Sequence, residues 1–489
     1  MIVQCEQSKA TVARLKPEQD RMPAREWFAL AVLLLAAVCL WSYHLGAESL
    51  WQDELYSIFE AKHSSVWTLL TTENRPLYFL ILKLWMHFGT SETWLRAVNL
   101  PIAFGAVMAV YLLGRRVMNH WVGLCAAAFL TLSPMFISHT QEVRMYALSV
   151  FTGVSGSLAF LYALQKPSKS AIAAWAVFRF LSSITTPLNA LLLGTDLLVV
   201  ISRSRADSQR MREFAMYWVL TLLACSPWLT ILICCDTTTF MNGWISGLQK
   251  PDLLQLGKLP IQFLFGTTEH LKVVCIIVLT GCLVAATARW RSNMSVRVLT
   301  AWICVPLSIL FSISILCNTL WIDRYLLMTA PYLFVVLAVG LAGIWSKSRP
   351  GAVAIALAYV TVVTLNLQDY FGTPQRQDWR AVFQTIKSQE QPDDAIAICD
   401  FEDPESFFEY YYGGNLPIVR FDRDDPQSIP FPDIRRADRN LRNRKRLWII
   451  CRGIRSGGPQ SRGELHHAAF CKSYAGITLL CIAGLDDEQ

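Results

Sequence analysis

Charge is what this sequence has least of. Asp, Glu, Lys and Arg make up 17% of its 489 residues, where an ordinary soluble domain has about one quarter. With 53% hydrophobic residues, that scarcity excludes a simple water-soluble protein. A glycine-rich phosphate loop is also missing, so the chain carries no nucleotide-binding signature. No cysteine pair has zinc-ligand spacing, and no internal repeat is visible. The first apolar segment, about Trp27 to Tyr43, has no small-residue cleavage site behind it, so it reads as a retained anchor. The net charge of +7 is modest. In such a chain it reflects loop placement, and no nucleic-acid partner is expected.

What is plentiful is apolar sequence. Runs near the length a bilayer requires recur at about 27–44, 97–114, 121–138, 146–164, 171–186, 188–202, 214–234, 271–288, 298–317, 326–345 and 351–367. The expected fold is therefore a polytopic α-helical membrane protein with about eleven transmembrane helices. The segment Pro76–Phe88 is apolar but too short to span, and is read as an interfacial helix; its Lys83 is expected to snorkel. Basic clusters test this count. Arg115-Arg116, Lys166 with Lys169, Arg203 to Arg212, Arg289 to Arg297, and Lys347 with Arg349 all fall in cytoplasmic loops if residues 1–26 are a cytoplasmic tail. A crossing at Pro76–Phe88 would invert every later loop. Asp53, Arg75, Glu142, Arg144 and Arg324 then share the extracytoplasmic side. Fourteen cysteines are present, ten of them at or before Cys317, mostly in apolar segments where Cys acts as a small hydrophobe. Cys399, Cys451, Cys471 and Cys481 lie later, where free buried thiols are the simpler reading and one disulfide the alternative.

Composition changes after about residue 367. Residues 368–489 are polar and rich in Asp, Arg and Pro. Asp378 is placed to cap a helix ending near Ser388. Strand Ala395–Asp400, helix Pro404–Tyr412, strand Pro417–Phe421, strand Arg446–Cys451, helix Gly463–Lys472 and strand Ile477–Ala483 follow. That order predicts a small α/β domain, extracytoplasmic by the odd number of spans. Its basic run from Arg435 to Arg446 reads as a solvated loop, or as a contact for anionic headgroups.

The first long loop, residues 45–96, holds Trp51-Gln52-Asp53-Glu54 and later Glu73-Asn74-Arg75-Pro76-Leu77-Tyr78. Further on come Ser133-Pro134, Gln141-Glu142-Val143-Arg144-Met145-Tyr146, Asp323-Arg324-Tyr325 and Asp378-Trp379-Arg380. In order, spacing and membrane side, this set resembles the bacterial branch of the dolichyl-phosphate-mannose protein mannosyltransferase family, which includes the lipid A aminoarabinose transferases. The resemblance runs from about residue 28 to 400 and is densest over 50–165. It implies the GT-C fold for residues 27–367, and transfer of a sugar from a polyprenyl phosphate to an acceptor hydroxyl, with inversion. Many relatives have His-Pro-Pro or Glu-Lys-Pro where this chain has Asn74-Arg75-Pro76. Arg75 keeps the positive charge, while Asn74 replaces a group able to take a proton or bind metal.

An attacking hydroxyl must lose a proton, so a carboxylate within hydrogen-bond reach serves as base. A leaving phosphate gathers negative charge and needs cations around it. Asp53 is accordingly read as base, with an N-cap of helix Glu54–Ala61 as its alternative. Glu54 orients Asp53 or the acceptor, or is simply a first-turn acid. Arg75, Arg144 and Arg324 are candidate phosphate ligands, with interfacial snorkelling as the bland reading. Glu142, Tyr146 and Tyr78 are candidate substrate contacts, although Tyr146 also suits an interfacial belt. His139 is read as structural. No cofactor is expected, with a divalent metal left open. The expected partners are a polyprenyl-phosphate sugar, a lipid, protein or polysaccharide acceptor, and membrane lipids. Acceptor contacts are expected in loop 236–270 and in the tail. The rival reading is a transporter or flippase of lipid-linked saccharides, which would place its charges near the midplane of repeated halves. Two charges do lie deep in apolar runs, Arg179 and Asp196. They are predicted to form a structural ion pair, the alternative being a role in a carrier-lipid groove.

Overall fold

The protein is described from a computed structural model, which covers residues 23–166, 168–203, 208–234, 250–266, 271–290, 292–317, 320–399, 404–421, 444–452, 468–475 and 477–483. Apolar helices form a bundle, and a small sheet domain follows it. Among the described residues eight helices are long and apolar enough to cross a membrane, and a bent pair makes a ninth if counted as one span. Eleven were expected. The difference lies mainly at 169–203, where Lys169–Thr185 has 17 residues and Ala190–Arg203 has 14, behind a single turn at Pro187–Asn189. These two are shorter than the roughly 20 residues of an ordinary straight span.

The bent pair is His120–Leu132 and Pro134–Thr140, which meet at 63°. Pro134 lacks the backbone donor that would continue the first helix. Ser133 starts the second one, accepting from Phe136 N at 3.2 Å and donating to Phe263 O at 2.5 Å. The bend delivers Gln141 to Arg144 to the end of the bundle. There Gln141 Nε2 donates to Trp41 O and Tyr43 O, at 2.9 and 2.8 Å.

At the centre runs Asp323–Lys347, 78% buried along its apolar window. Gly340 matters here, because a Cβ at that position would collide with the Cys282 carbonyl of helix Lys272–Trp290. The helices Tyr146–Gln165 and Ala330–Lys347 begin beside Arg144 and Arg324 and end at Lys166 and Lys347. Asp53 meets both arginines. The acidic loop and the basic clusters therefore lie at opposite ends of the bundle.

Loop 45–96 folds into helices Gln52–His63, Val66–Thr71, Pro76–Met86 and Glu92–Ala97. The third has 11 residues. At 1.5 Å per residue it reaches about 16 Å, half the hydrocarbon thickness, so it cannot span. It leaves Leu84 exposed, and Trp67 and Phe88 of the same loop are exposed as well. Lys83 does not snorkel. Its ammonium donates to Ala61 O and Ser64 O, both at 2.9 Å, closing the C-terminal end of Gln52–His63. The free carbonyls of a helix end offer a cation partners that membrane depth alone does not reveal.

Beyond helix Arg349–Gly372 the tail begins with Trp379–Gln389, capped as expected by Asp378, which accepts from Ala381 N at 3.1 Å. Five strands follow: β1 (Asp394–Cys399), β2 (Ile418–Phe421), β3 (Arg446–Arg452), β4 (Ala468–Tyr474) and β5 (Ile477–Ala483). Their order is β2-β1-β3-β5-β4, with β1 parallel to β2 and β3, and β5 antiparallel to β3 and β4. Helix Gly463–Lys472 was expected where β4 is found. Only two residues separate β4 from β5, a link too short for a crossover, so the segment returns as a hairpin strand. Residues 463–467, and 435–443 of the basic run, lie outside the described residues. At the end of that run Arg446 is an ordinary structural cation, paired with Asp394 at 2.7 Å. Cys471 and Cys481 are thiols.

Candidate active site

The site is built on the start of helix Gln52–His63. Trp51, not Asp53, holds the N-cap position. The N-cap alternative for Asp53 is thereby removed, and its carboxylate, 27% exposed, turns to two cations. Arg324 Nη1 donates to Asp53 Oδ2 at 2.8 Å, and Arg144 Nη2 stands 3.8 Å from the same oxygen. Arg144 Nη1 also donates to Asp53 O and Ser57 Oγ, each at 3.0 Å. Arg324 lies over the Trp51 and Tyr325 rings, at 5.5 and 5.7 Å. Tyr146 is buried, so it is not a belt residue. Its ring packs against His139 at 4.6 Å and Tyr325 at 6.5 Å.

Arg75 stands at the N-cap of Pro76–Met86, half-buried, with no hydrogen-bond partner for its Nε. Its charge acts on Tyr56 and on Tyr146, as does that of Arg144. Three of the expected cations thus face the region of Asp53, two of them in contact with it. Tyr78 is fully buried beside Asn99 and lies under the site. Burial raises its phenol well above the usual range.

Glu54 is a first-turn acid of its helix, the second of its two expected readings. It is fully buried. Its oxygens accept from Arg96 Nε and Nη2 at 2.9 and 2.8 Å, from Val143 N at 2.9 Å and from Trp51 N at 3.2 Å. Both carboxylate oxygens are thus engaged by donors of the protein itself. Glu142 is similarly enclosed. His139 Nδ1 lies 3.1 Å from its Oε2, Arg376 Nη2 lies 3.4 Å from its Oε1, and its carbonyl accepts from Asn99. Burial alone would raise its pKa, but His139, Arg376 and Arg324 outweigh that and hold it at about 2.

Arg96 and Arg376 were not singled out as site residues from sequence. Arg96 carried a signal, a lone charge at the start of an apolar run. Arg376 carried none. Two recesses lie at this end of the chain's first loop, only the first of them touching the cluster, and Asp53 lines neither. One, about 280 Å³, is bounded by Glu48, Gln141, Tyr370 and Arg376. The other, about 540 Å³, is bounded by Ile58, Lys62, Met86 and Glu409. Among the described residues no three His, Cys, Asp or Glu side chains are grouped to hold a metal ion. Of the loop expected to carry acceptor contacts, residues 236–249 and 267–270 lie outside the described residues.

No family profile and no curated protein sequence matches the chain. Solved structures do match its fold. ArnT from Cupriavidus metallidurans, bound to undecaprenyl phosphate, is similar with a TM-score of 0.61 at 12% identity, over 96% of this chain and 100% of that one. The oligosaccharyltransferase AglB from Archaeoglobus fulgidus, in complex with an inhibitory peptide and a dolichol-phosphate, is similar with a TM-score of 0.55 at 12% identity, over 93% of this chain and 75% of that one. With its apolar bundle, its acidic loop at one end and its small α/β domain, this chain is an integral membrane protein of the GT-C fold.

Proposed function

We propose that the protein is a glycosyltransferase that moves a hexose or pentose from a polyprenyl-phosphate donor to a hydroxyl on a lipid, protein or polysaccharide. One observation carries the reading: Asp53 Oδ2 lies 2.8 Å from Arg324 and 3.8 Å from Arg144. An acid and two cations from three distant segments converge at one end of an apolar bundle. The carrier phosphates bound by ArnT and AglB favour the same donor chemistry here.

In the step, the acceptor oxygen forms a bond to the anomeric carbon as the bond from that carbon to the phosphate oxygen breaks. The acceptor proton passes to the Asp53 carboxylate. The bonding pair leaves with the polyprenyl phosphate, whose charge Arg144, Arg324 and Arg75 receive. A phosphate arriving at these arginines competes with Asp53 for them and frees its oxygen to accept the proton. A single displacement inverts the anomeric centre. The concentration of charge at one end supports this reading over a transporter, whose charges belong near the midplane. The basic clusters at the opposite end support a reading in which the site and the tail are extracytoplasmic, on an inner or plasma membrane.

The test is turnover of a defined polyprenyl-phosphate sugar by purified protein with membrane extract as acceptor, read as released polyprenyl phosphate. Asp53→Asn keeps the shape but removes the proton acceptor, and is expected to lower turnover by about 100- to 10,000-fold while leaving donor binding. Near-normal turnover in that variant would remove Asp53 from the chemistry.

A further inference from the structure

The tail reaches the bundle through residues 375–380, and this stretch is pinned to the first loop. Gln375 N donates to Glu48 Oε1 at 2.6 Å. Ser49 Oγ donates to Asp378 Oδ1 at 3.0 Å and accepts from Arg380 N at 3.1 Å. Arg380 pairs with Glu92. In the middle of the stretch Arg376 turns inward, its side chain 10% exposed. Its Nη1 stands 3.4 Å from Glu54 Oε2, and its Nη2 stands 3.4 Å from Glu142 Oε1. Both nitrogens also donate to Gln141 O, at 3.4 and 3.3 Å.

The two carboxylates that share this guanidinium sit next to the reacting groups. Glu54 follows Asp53 in the chain, and Glu142 precedes Arg144 by two residues. Val143 N, donating to Glu54 Oε1, joins the two segments directly. Arg96 supplies one charge to Glu54, and His139 faces Glu142 from the other side. Without Arg376, two buried acids confront each other with less cation between them. Like charges in a medium of low polarity repel strongly. The strain would fall on the spacing between the Asp53 helix start and the Arg144 turn.

We propose that Arg376 is a positioning residue through which the docked tail domain controls the transfer site. By balancing Glu54 and Glu142 together, it holds Asp53 and Arg144 at the spacing that transfer requires. This rests on the reading of those two residues as the transfer site. A misplacement of about 1 Å can cost on the order of 100-fold in rate, so the tail acts on turnover although Arg376 does not touch the reacting atoms.

The full-length protein, Arg376→Ala, Arg376→Lys, Glu142→Gln and the double variant Glu142→Gln/Arg376→Ala are purified and assayed with the polyprenyl-phosphate sugar. Melting temperature is followed alongside kcat and donor KM. Arg376→Ala is expected to lower kcat by about 10- to 100-fold with donor KM within about threefold. Lysine should recover part of the loss. The double variant should lose little more than Glu142→Gln alone, because one of the two facing acids is then neutral. A kcat for Arg376→Ala within twofold of wild type would overturn the proposal. So would a loss that neither lysine nor Glu142→Gln alters, or one matched entirely by unfolding. If Asp53→Asn is inactive while Arg376→Ala is normal, this proposal alone falls. If Asp53→Asn is active, the site itself is elsewhere.

Discussion

Arg179 and Asp196 meet inside the bundle, with Arg179 Nε 2.6 Å from Asp196 Oδ2 and both side chains fully buried. Arg179 Nη2 also donates to Asp196 Oδ1 at 3.1 Å and to Ser157 Oγ at 2.8 Å, and Nη1 donates to Gly153 O at 2.9 Å. Trp175 and Trp302 donate their indole N–H groups to the same carboxylate, each at 2.7 Å. The pairing predicted from two charges on neighbouring helices is present.

Removal of one member leaves a buried charge without its counterion. Arg179→Met or Asp196→Leu alone should therefore destabilise the protein by about 3–5 kcal/mol, and the double variant by less than either. Thermal unfolding in a lipid-like detergent measures this. A double variant less stable than both singles would show that the indole and hydroxyl contacts outweigh the ion pair.

The arginines around Asp53 should differ in what their loss does. Arg75 makes no ion pair among the described residues, so Arg75→Ala is expected to leave the fold intact. Its effect should appear as a donor kcat/KM lower by about 10- to 100-fold, the worth of a hydrogen bond to a charged group. Lysine at 75 should keep part of this, since charge survives without the two-pronged geometry. Arg144→Ala should cost stability as well, because Ser57 Oγ and the Asp53 carbonyl lose their donor. Unchanged donor kinetics in Arg75→Ala and Arg324→Ala would remove both from the phosphate site.

Acid should loosen the same end of the molecule. Folded Glu142 titrates at about 2, below the value near 4.3 of an unfolded glutamate. Its stabilisation is complete above the unfolded value. As pH falls toward 2 the unfolded chain binds more protons, and that contribution is lost. Melting temperature should drop between pH 5 and 3, and Glu142→Gln should flatten the drop. Parallel curves for the two proteins would place the acid sensitivity in other groups.

Much of this site was legible because its residues sit where apolar runs begin. Arg144 and Arg324 each precede a long span, and Asp53 follows the first, so membrane side alone put them together. The neighbours that decide their roles were not legible. Glu54 and Asp53 are adjacent acids, and only the packing of Arg96 and Val143 against one of them separates the buried carboxylate from the partly open one. Lys83 looks the same in sequence whether it snorkels or closes a helix. Arg376 lies in a polar stretch with no periodicity, and its partners are more than two hundred residues away. The hairpin strand at Ala468–Tyr474 was mistaken for a helix because its pairing with β5 is a tertiary fact.

The convergence at Asp53 also has a timetable. Arg144 lies 91 positions after it and Arg324 lies 271 after it. At synthesis rates of about 5–20 residues per second, roughly 14 to 54 s separate the emergence of the acid from that of its nearest cation. During that interval the loop is already made, yet it cannot be completed. A nascent or truncated chain that stops short of Arg324 would thus carry the acid and the two earlier arginines without the cation that lies nearest to it, so that biogenesis itself leaves unfinished copies with an incomplete site.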